Sequence, residues 1–443
     1  MKHYFGTDGI RGVAGEPPLD AATVYAVGLA LGDDLGPGAR VVLGEDTRES
    51  SAAIAGTLAA GLATRGVQVE HAGVLPTPGV AFLAARHGFQ AGLMISASHN
   101  PYHDNGIKVF GGEGYKLPDE EEAAIERGIS RYAEEGVRPP APQSLAVNPG
   151  LRSAYVSHLT QRFRDTDFSG LRFIFDCAHG AASAVTRDLC LALGMEAEIL
   201  SASPDGRNIN AGVGALHPGA MSERVRRDGA DAGVALDGDA DRAILADASG
   251  ALVNGDCVLL MAARDLKSSG ELSPRVVVGT VMTNLGLERA LAAEGIELLR
   301  TAVGDKYVLE KMRERGAQLG GEPSGHVIFS AEATTGDGLL TALHCFALMA
   351  RRRQPLQKLC DGWQEMPQTI VNVKVARKLP LEELAGAQAA IRNAEREFQG
   401  AGRVLVRYSG TEKLARVMVE AAERAAVERH AQAIAHALER DLA

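Results

Sequence analysis

The plainest pattern in the chain is a set of short apolar, β-branched runs, each closed by a turn residue and followed by a stretch with helical spacing. Val41-Val42-Leu43, Phe173-Ile174-Phe175 and Val276-Val277-Val278 are the clearest examples. A buried strand followed by an amphipathic helix is the grammar of βαβ units, so these segments predict sheets covered by helices. Each run is preceded by an arginine, Arg40, Arg172 or Arg275, which points to three related α/β segments in tandem. The C-terminal text differs. It reads strand, helix, strand, strand, helix, with RVLVRYSG and LARVMVEA as strands and ERAAVERHAQAIAHALERDL as a final amphipathic helix, an α+β order rather than a doubly wound one.

The Pro-rich stretch RPPAPQSLAVNPG ends at Gly150, has no periodicity and predicts a linker. Further breaks fall near Gly250, after the strand pair flanking DGDADR, and near Trp363. The expected organisation is three similar mixed-sheet α/β domains, 1–150, 151–250 and 251–365, plus a smaller α+β C-terminal domain, 366–443.

Composition narrows the function. Aromatics are 5% of the 443 residues while aliphatics abound, which suits large aliphatic cores and argues against a carbohydrate-binding sandwich, a disordered chain or a collagen. The net charge of −10 repels phosphate backbones and anionic lipid, so neither nucleic acid nor a membrane surface is an expected partner. A small anionic substrate stays compatible if Arg and Lys cluster locally in a cleft. Cys177, Cys190, Cys257, Cys345 and Cys360 are scattered without CxxC or metal-ligand spacing and are expected to be buried reduced thiols in a cytoplasmic protein. MKHYFGTDGIRG lacks the apolar core of a signal peptide.

Five segments carry candidate chemistry. In DGDADR, Asp237, Asp239 and Asp241 alternate with small residues directly after the apolar strand GVAL, so one loop projects three hard oxygen donors, which suits Mg2+. A calcium EF-hand is excluded, because Arg242 stands where its glycine is needed and Ala248 where its glutamate is needed. In ISASHNPYHDNGIKVFGG, Ser98 ends the apolar strand AGLMISA and is followed by His99, Asn100 and Pro101, a loop at the carboxyl edge where open α/β sheets bind ligands. Lys108 is either a cation for Ser98 or a strand residue with its head in water. In GGEPSGH, Glu322 and Ser324 can accept from and donate to vicinal sugar hydroxyls, while His326 is either a general base or a structural histidine. RYSGTE offers Arg407, Ser409, Gly410 and Thr411, with Arg416 following, as a phosphate cradle. FGTDGIRG places Thr7, Asp8 and Arg11 in a glycine-punctuated loop. No Gly-Lys dipeptide, GxGxxG or GxSxG is present, which removes Walker-type nucleotide hydrolysis, dinucleotide redox chemistry and the α/β-hydrolase elbow.

In this order and spacing, FGTDGIRG, ISASHNPYHDNGIKVF, DGDADR, GGEPSGH and RYSGTE resemble the α-D-phosphohexomutase superfamily over nearly the whole chain, and VGDKYVLEKM, TTGDG and SGTE are similar to its bacterial branch acting on glucosamine phosphates. The resemblance implies four domains around a central cleft, a phosphoserine at Ser98, and Mg2+ on Asp237, Asp239, Asp241 and a phosphoryl oxygen. It implies hydroxyl recognition by Glu322 and Ser324, and phosphate recognition by Arg407, Ser409, Gly410, Thr411 and Arg416. Lys108, Arg11 and Arg242 would supplement the charge, with His99 beside the serine; His326 or Lys108 would be the acid–base partner. A sugar bisphosphate such as glucosamine 1,6-bisphosphate would be the activator, a sugar phosphate the substrate and a homodimer the assembly. Pro323 and Lys413 depart from the usual Gln and Pro of close relatives. Phosphomannomutase or phosphoglucomutase activity, a metal-dependent phosphatase and a non-catalytic sugar-phosphate binder are the alternatives.

Overall fold

A computed structural model describes residues 4–141, 144–408 and 413–442. The chain forms two compact units, one of Met1–Thr283 with Glu294–Asp361, the other of Asn284–Ala293 with Gly362–Ala443.

The first unit holds three sheets. One contains β1 (Phe5–Gly6), β2 (Gly9–Val13), β3 (Arg40–Glu45), β4 (Gln68–Val74), β5 (Ala91–Ile95) and β6 (Asp104–Gly111), in the order β1-β2-β6-β5-β3-β4. The next contains β7 (Arg172–Asp176), β8 (Glu196–Leu200), β9 (Ala232–Leu236), β10 (Ala243–Asp247) and β11 (Leu252–Val253), in the order β11-β10-β9-β7-β8. The third contains β12 (Val276–Thr280), β13 (Glu297–Thr301), β14 (Leu319–Gly321) and β15 (Val327–Phe329), in the order β13-β12-β14-β15.

These sheets share one plan. The three apolar runs of the sequence become β3, β7 and β12, and each has a parallel strand on both sides. Strands in that position are covered on both faces, which is why they read as unbroken hydrophobic runs rather than alternating ones; Val41, Val42, Leu43, Phe173, Ile174, Phe175, Val277 and Val278 are all buried. In each sheet the parallel neighbour β5, β9 or β14 then leads into an antiparallel strand, β6, β10 or β15. That one connection carries SASHNPYH in the first sheet, DGDADR in the second and EPSGH in the third. A weak internal repeat in sequence is thus a repeat of topology, with the chemistry in equivalent loops.

The expected linker is partly structured. The helix Pro149–Phe163 starts inside it because Asn148 caps it, its side chain accepting from Gly150 N, and Pro149 supplies the preset φ of a first helical residue.

The second unit is a three-stranded antiparallel sheet, β16 (Gln368–Lys374), β17 (Arg403–Tyr408) and β18 (Leu414–Glu420), in the order β16-β18-β17. The helices Ala385–Phe398 and Arg424–Asp441 pack on it around Val373, Val417, Val427, Ile434 and Leu438. The strand and helix order is the one read from the pattern. The helix Leu285–Ala293, which lies between β12 and β13 in sequence, belongs to this unit: Leu285 N donates to Glu420 Oε1 at 2.7 Å, and Asn284 Nδ2 donates to Met366 O at 3.1 Å.

The cysteines need a correction. Cys177, Cys190 and Cys345 are buried free thiols, pushed up to about 12 by burial, but Cys257 and Cys360 form a disulfide across 103 positions. Spacing did not indicate it, because the pairing depends on tertiary proximity. Among the described residues no helix is long and apolar enough to cross a membrane.

Candidate active site

Ser98 lies just past β5, buried, with its backbone in the left-handed region at φ +52°. A serine there needs support from its surroundings. Arg48 provides it, donating from Nη2 to the carbonyls of Ser98 and Asn100, each at 2.9 Å, and from Nη1 to that of Pro101. Asp46 holds the Arg48 Nε at 2.9 Å and accepts from Ser96 Oγ at 2.6 Å; Ser96 Oγ in turn accepts the Ser98 N–H at 2.9 Å. Asn210 Nδ2 donates to Ser98 O, again at 2.9 Å. Asp46 and Arg48 follow β3, the parallel neighbour of β5, so two adjacent carboxyl ends of one sheet build the support.

The Ser98 hydroxyl donates to Asp237 Oδ2 at 2.6 Å. Asp237, Asp239 and Asp241 sit in the turn between β9 and β10, where Leu236 pairs with Ala243. Gly238 allows this turn to meet the serine loop, since a Cβ there would lie 2.5 Å from Ser98 O. All three carboxylates are buried and offer one oxygen each within 4.8 Å of the others. Burial and the charges of Asp241 and Asp239 push Asp237 well above the usual carboxylate range. Oδ1 of Asp239 and Oδ1 of Asp241 are buried without a hydrogen-bond partner. Crowded hard oxygens with unsatisfied lone pairs are the donor set of a divalent cation, and these residues fit one.

Other groups fix the same cluster. Lys108 stands on β6 opposite Met94, and its ammonium is not in water: Nζ lies 2.8 Å from Asp239 Oδ2, 3.2 Å from Asp241 Oδ2 and 3.1 Å from Asp8 Oδ2. Thr77 donates its N–H to Asp239 O at 2.9 Å and its hydroxyl to Asp239 Oδ2.

A cavity of about 410 Å³ opens beside these carboxylates, lined by Thr7, Asp8, Arg11, His99, Arg242 and Glu322 among others. Arg11 pairs with Asp8 and donates to Ala97 O at 3.3 Å. Arg242 Nη1 donates to His99 Nδ1 at 3.1 Å, and that nitrogen is 3.4 Å from Ser98 Oγ. Burial, with Arg242 and Arg11 nearby, lowers His99 to about 4, so its ring is neutral at pH 7.

Glu322 follows β14; its Oε1 accepts from Gly304 N at 3.1 Å and its Oε2 from Ser324 Oγ at 3.3 Å. Gly325, at φ +92°, lets this loop lie against β10, where a Cβ would be 2.2 Å from Ala243 O. His326 is buried. Gly336 N donates to its Nε2 at 3.0 Å, which leaves the ring proton on Nδ1, 3.8 Å from Asp241 Oδ2.

Models of the phosphoglucomutase/phosphomannomutase family match four successive stretches: alpha/beta/alpha domain I at residues 2–136, domain II at 153–250, domain III at 254–366 and the C-terminal domain at 370–437. A phosphoglucosamine mutase of Koribacter versatilis is 50% identical over 449 residues, covering 99% of this chain and 97% of its own. One of Solibacter usitatus is 50% identical over 444 residues, covering 100% and 99%. The chain belongs to the phosphoglucosamine mutase family.

Membership of this isomerase family agrees with the fold. A phosphoglucomutase/phosphomannomutase family protein from Burkholderia thailandensis superposes with a TM-score of 0.79 at 26% identity, over 98% of this chain and 97% of its own. The Aspergillus fumigatus N-acetylphosphoglucosamine mutase, solved with GlcNAc-6P and magnesium, shares the fold at a TM-score of 0.67 and 19% identity, over 100% of this chain and 96% of its own. Three mixed-sheet α/β domains and a C-terminal antiparallel-sheet domain are the phosphohexomutase architecture.

The first unit brings together Arg11, Ser98, His99, Lys108, Asp237, Asp239, Asp241, Arg242, Glu322 and His326, with Ser324 exposed beside Glu322. Arg407 and Arg416 lie in the second unit, directly opposite each other on β17 and β18, and burial together with Arg416 lowers the Arg407 pKa. Ser409, Gly410 and Thr411 lie outside the described residues. Sequence reasoning missed Asp46, Arg48, Thr77 and Asn210. A signal existed for two of them: EDTR closes the apolar run of β3, at the strand end where α/β sheets place ligands.

Proposed function

We propose that the protein interconverts glucosamine 6-phosphate and glucosamine 1-phosphate through a phosphorylated Ser98 and a glucosamine 1,6-bisphosphate that turns end for end between two transfers. The supporting observation is the Ser98 hydroxyl held 2.6 Å from Asp237, inside a three-carboxylate cluster beside a cavity that also holds Glu322. In the first transfer the free hydroxyl oxygen of the sugar bonds to phosphorus as the phosphorus–Oγ bond of Ser98 breaks. In the second, Ser98 Oγ takes the other phosphate, so the donor is not consumed.

Phosphoryl transfer asks chiefly for positioning and charge neutralisation. Asp237, Asp239 and Asp241, with an oxygen of phosphorylated Ser98, would hold Mg2+, which when bound neutralises charge on the phosphoryl group. Lys108, Arg11 and Arg242 add positive charge around Ser98, and neutral His99 keeps Arg242 aimed at it. Glu322 accepts and Ser324 donates, so the pair can hold sugar hydroxyls in either orientation. Arg407, with Ser409, Gly410, Thr411 and Arg416, takes the phosphate that is not reacting. His326 or Lys108 is the acid–base partner of the sugar hydroxyl: Nε2 of His326 accepts from Gly336 N, and Asp239, Asp241 and Asp8 hold the Lys108 ammonium in its charged form. A sugar 1,6-bisphosphate would prime Ser98, and the product would feed UDP-N-acetylglucosamine synthesis in the cytoplasm.

The test is turnover with Mg2+ and a trace of sugar bisphosphate, comparing glucosamine 6-phosphate with glucose and mannose 6-phosphates by kcat/KM. The expected preference for the amino sugar is about tenfold or more. Preference for a neutral hexose would overturn the substrate, and phosphate release without isomerisation would overturn the mutase.

A further inference from the structure

Asp8 borders the same cavity as Gly304, Asp305 and Glu322, although it comes from the opposite end of the first unit's sequence. Lys116 joins them without lining the cavity itself. Its nearly buried ammonium lies 2.5 Å from Asp8 Oδ1 and also pairs with Asp305. The next residue pairs in the opposite sense: Lys306 Nζ is 2.5 Å from Asp119 Oδ1 and 3.3 Å from Glu122 Oε2. Consecutive residues of opposite sign, Asp305 and Lys306, therefore meet opposite charges on one short segment, 116–122. A slip of one residue would set Lys306 against Lys116, so the arrangement admits one register.

Glu322 is tied into this arrangement. Gly304 is the N-cap of the helix Asp305–Arg315, and its N–H donates to Glu322 Oε1 at 3.1 Å. Segment 116–122 thus fixes residues 304–306, and residue 304 fixes the carboxylate that faces the cavity. Asp8 also pairs with Arg11 and Lys108, but Lys116 pairs with both Asp8 and Asp305, so its charge is what ties the two loops to each other.

We propose that Lys116 is a positioning residue, which by bridging Asp8 and Asp305 sets the place of Glu322 in the cavity and so governs sugar binding without touching the sugar. This rests on the reading of Glu322 as a binder of sugar hydroxyls.

The test is the steady-state kinetics of the full chain. Lys116→Met is expected to raise the KM for glucosamine 6-phosphate about tenfold or more, with a smaller change in kcat and the same Mg2+ concentration for half-activation. Lys116→Arg, which can still bridge two carboxylates, restores most of the KM. Lys116→Gln, which loses the charge but keeps a hydrogen-bond donor of shorter reach, raises KM in the same way and decides the matter if Lys116→Met does not fold. An unchanged KM, an equal fall in kcat and kcat/KM, or no recovery in Lys116→Arg overturns the proposal. If the wild-type chain isomerises no hexose phosphate, the reading of Glu322 falls first; if it does and Lys116→Met keeps its KM, only the positioning role falls.

Discussion

The loops after β5 and β14 fill the same slot in two sheets of one plan, yet they are held in different ways. The Ser98 loop has its carbonyls taken by Arg48 and Asn210, and Arg48 is locked in turn to a fully buried Asp46. The Glu322 loop is held by backbone hydrogen bonds, Glu322 N to His326 O at 2.9 Å, Gly325 N to Glu322 O at 3.0 Å, Ala243 N to Gly325 O at 3.1 Å and Gly255 N to Pro323 O at 3.1 Å, and its carboxylate accepts from Gly304 N at 3.1 Å and Ser324 Oγ at 3.3 Å. Topology sets where each loop stands; buried charge sets how firmly. In the proposed reaction Ser98 is a nucleophile, which must be placed to a fraction of an ångström, whereas Glu322, proposed to read hydroxyls in both orientations of a bisphosphate, gains from some freedom.

The strongest way to break this comparison is at the serine. Ser98→Ala should abolish isomerisation while leaving the circular dichroism and melting curve unchanged; near-normal turnover would remove the phosphoserine. Arg48→Met comes next, since it leaves Asp46 as a buried carboxylate without its cation, removes the Arg48 donor from Pro101 O and leaves the carbonyls of Ser98 and Asn100 to Asn210 alone. About 3–5 kcal/mol of stability should be lost in urea denaturation, along with most of the activity, and a variant as stable as wild type would mean the loop is held by something else.

The same region can be sharpened through pH. Glu45, beside Asp46, is raised from 4.5 to about 7, first by burial and then by the Asp46 charge. A group raised in the folded state stabilises it below its unfolded pKa, and that contribution disappears as pH climbs through the folded value. Wild type should therefore lose on the order of 2 kcal/mol relative to Glu45→Gln between pH 5 and pH 8. Parallel denaturation midpoints at the two pH values would refute it. The smallest effect belongs to the Glu322 loop: Ser324→Ala should lower kcat/KM by about 0.5–1.5 kcal/mol, a few-fold, and leave the melting temperature alone.

Much of this was legible in the residues. β3, β7 and β12 announce themselves because a strand buried on both faces must be apolar throughout, and Asp237, Asp239 and Asp241 announce themselves because a single tight turn carries all three. Lys108 could be noticed but not placed, since a strand lysine reads the same whether its head meets water or three carboxylates. Asp46 and Arg48 went unread because their partners stand some fifty positions away. Lys116 and Asp305, 189 apart, carry no local pattern, and the pairing of Cys257 with Cys360 contradicts what spacing suggested.

By itself, then, the sequence determined the elements, the repeat of three α/β segments and the residues able to do chemistry, all of which follow from short-range periodicity and side-chain type. Only the tertiary structure decided which strand ends meet, which charges are buried against which and whether a given lysine is solvated or caged. Those depend on desolvation and on pairing across long stretches of chain, and neither leaves a trace in the spacing of neighbouring residues.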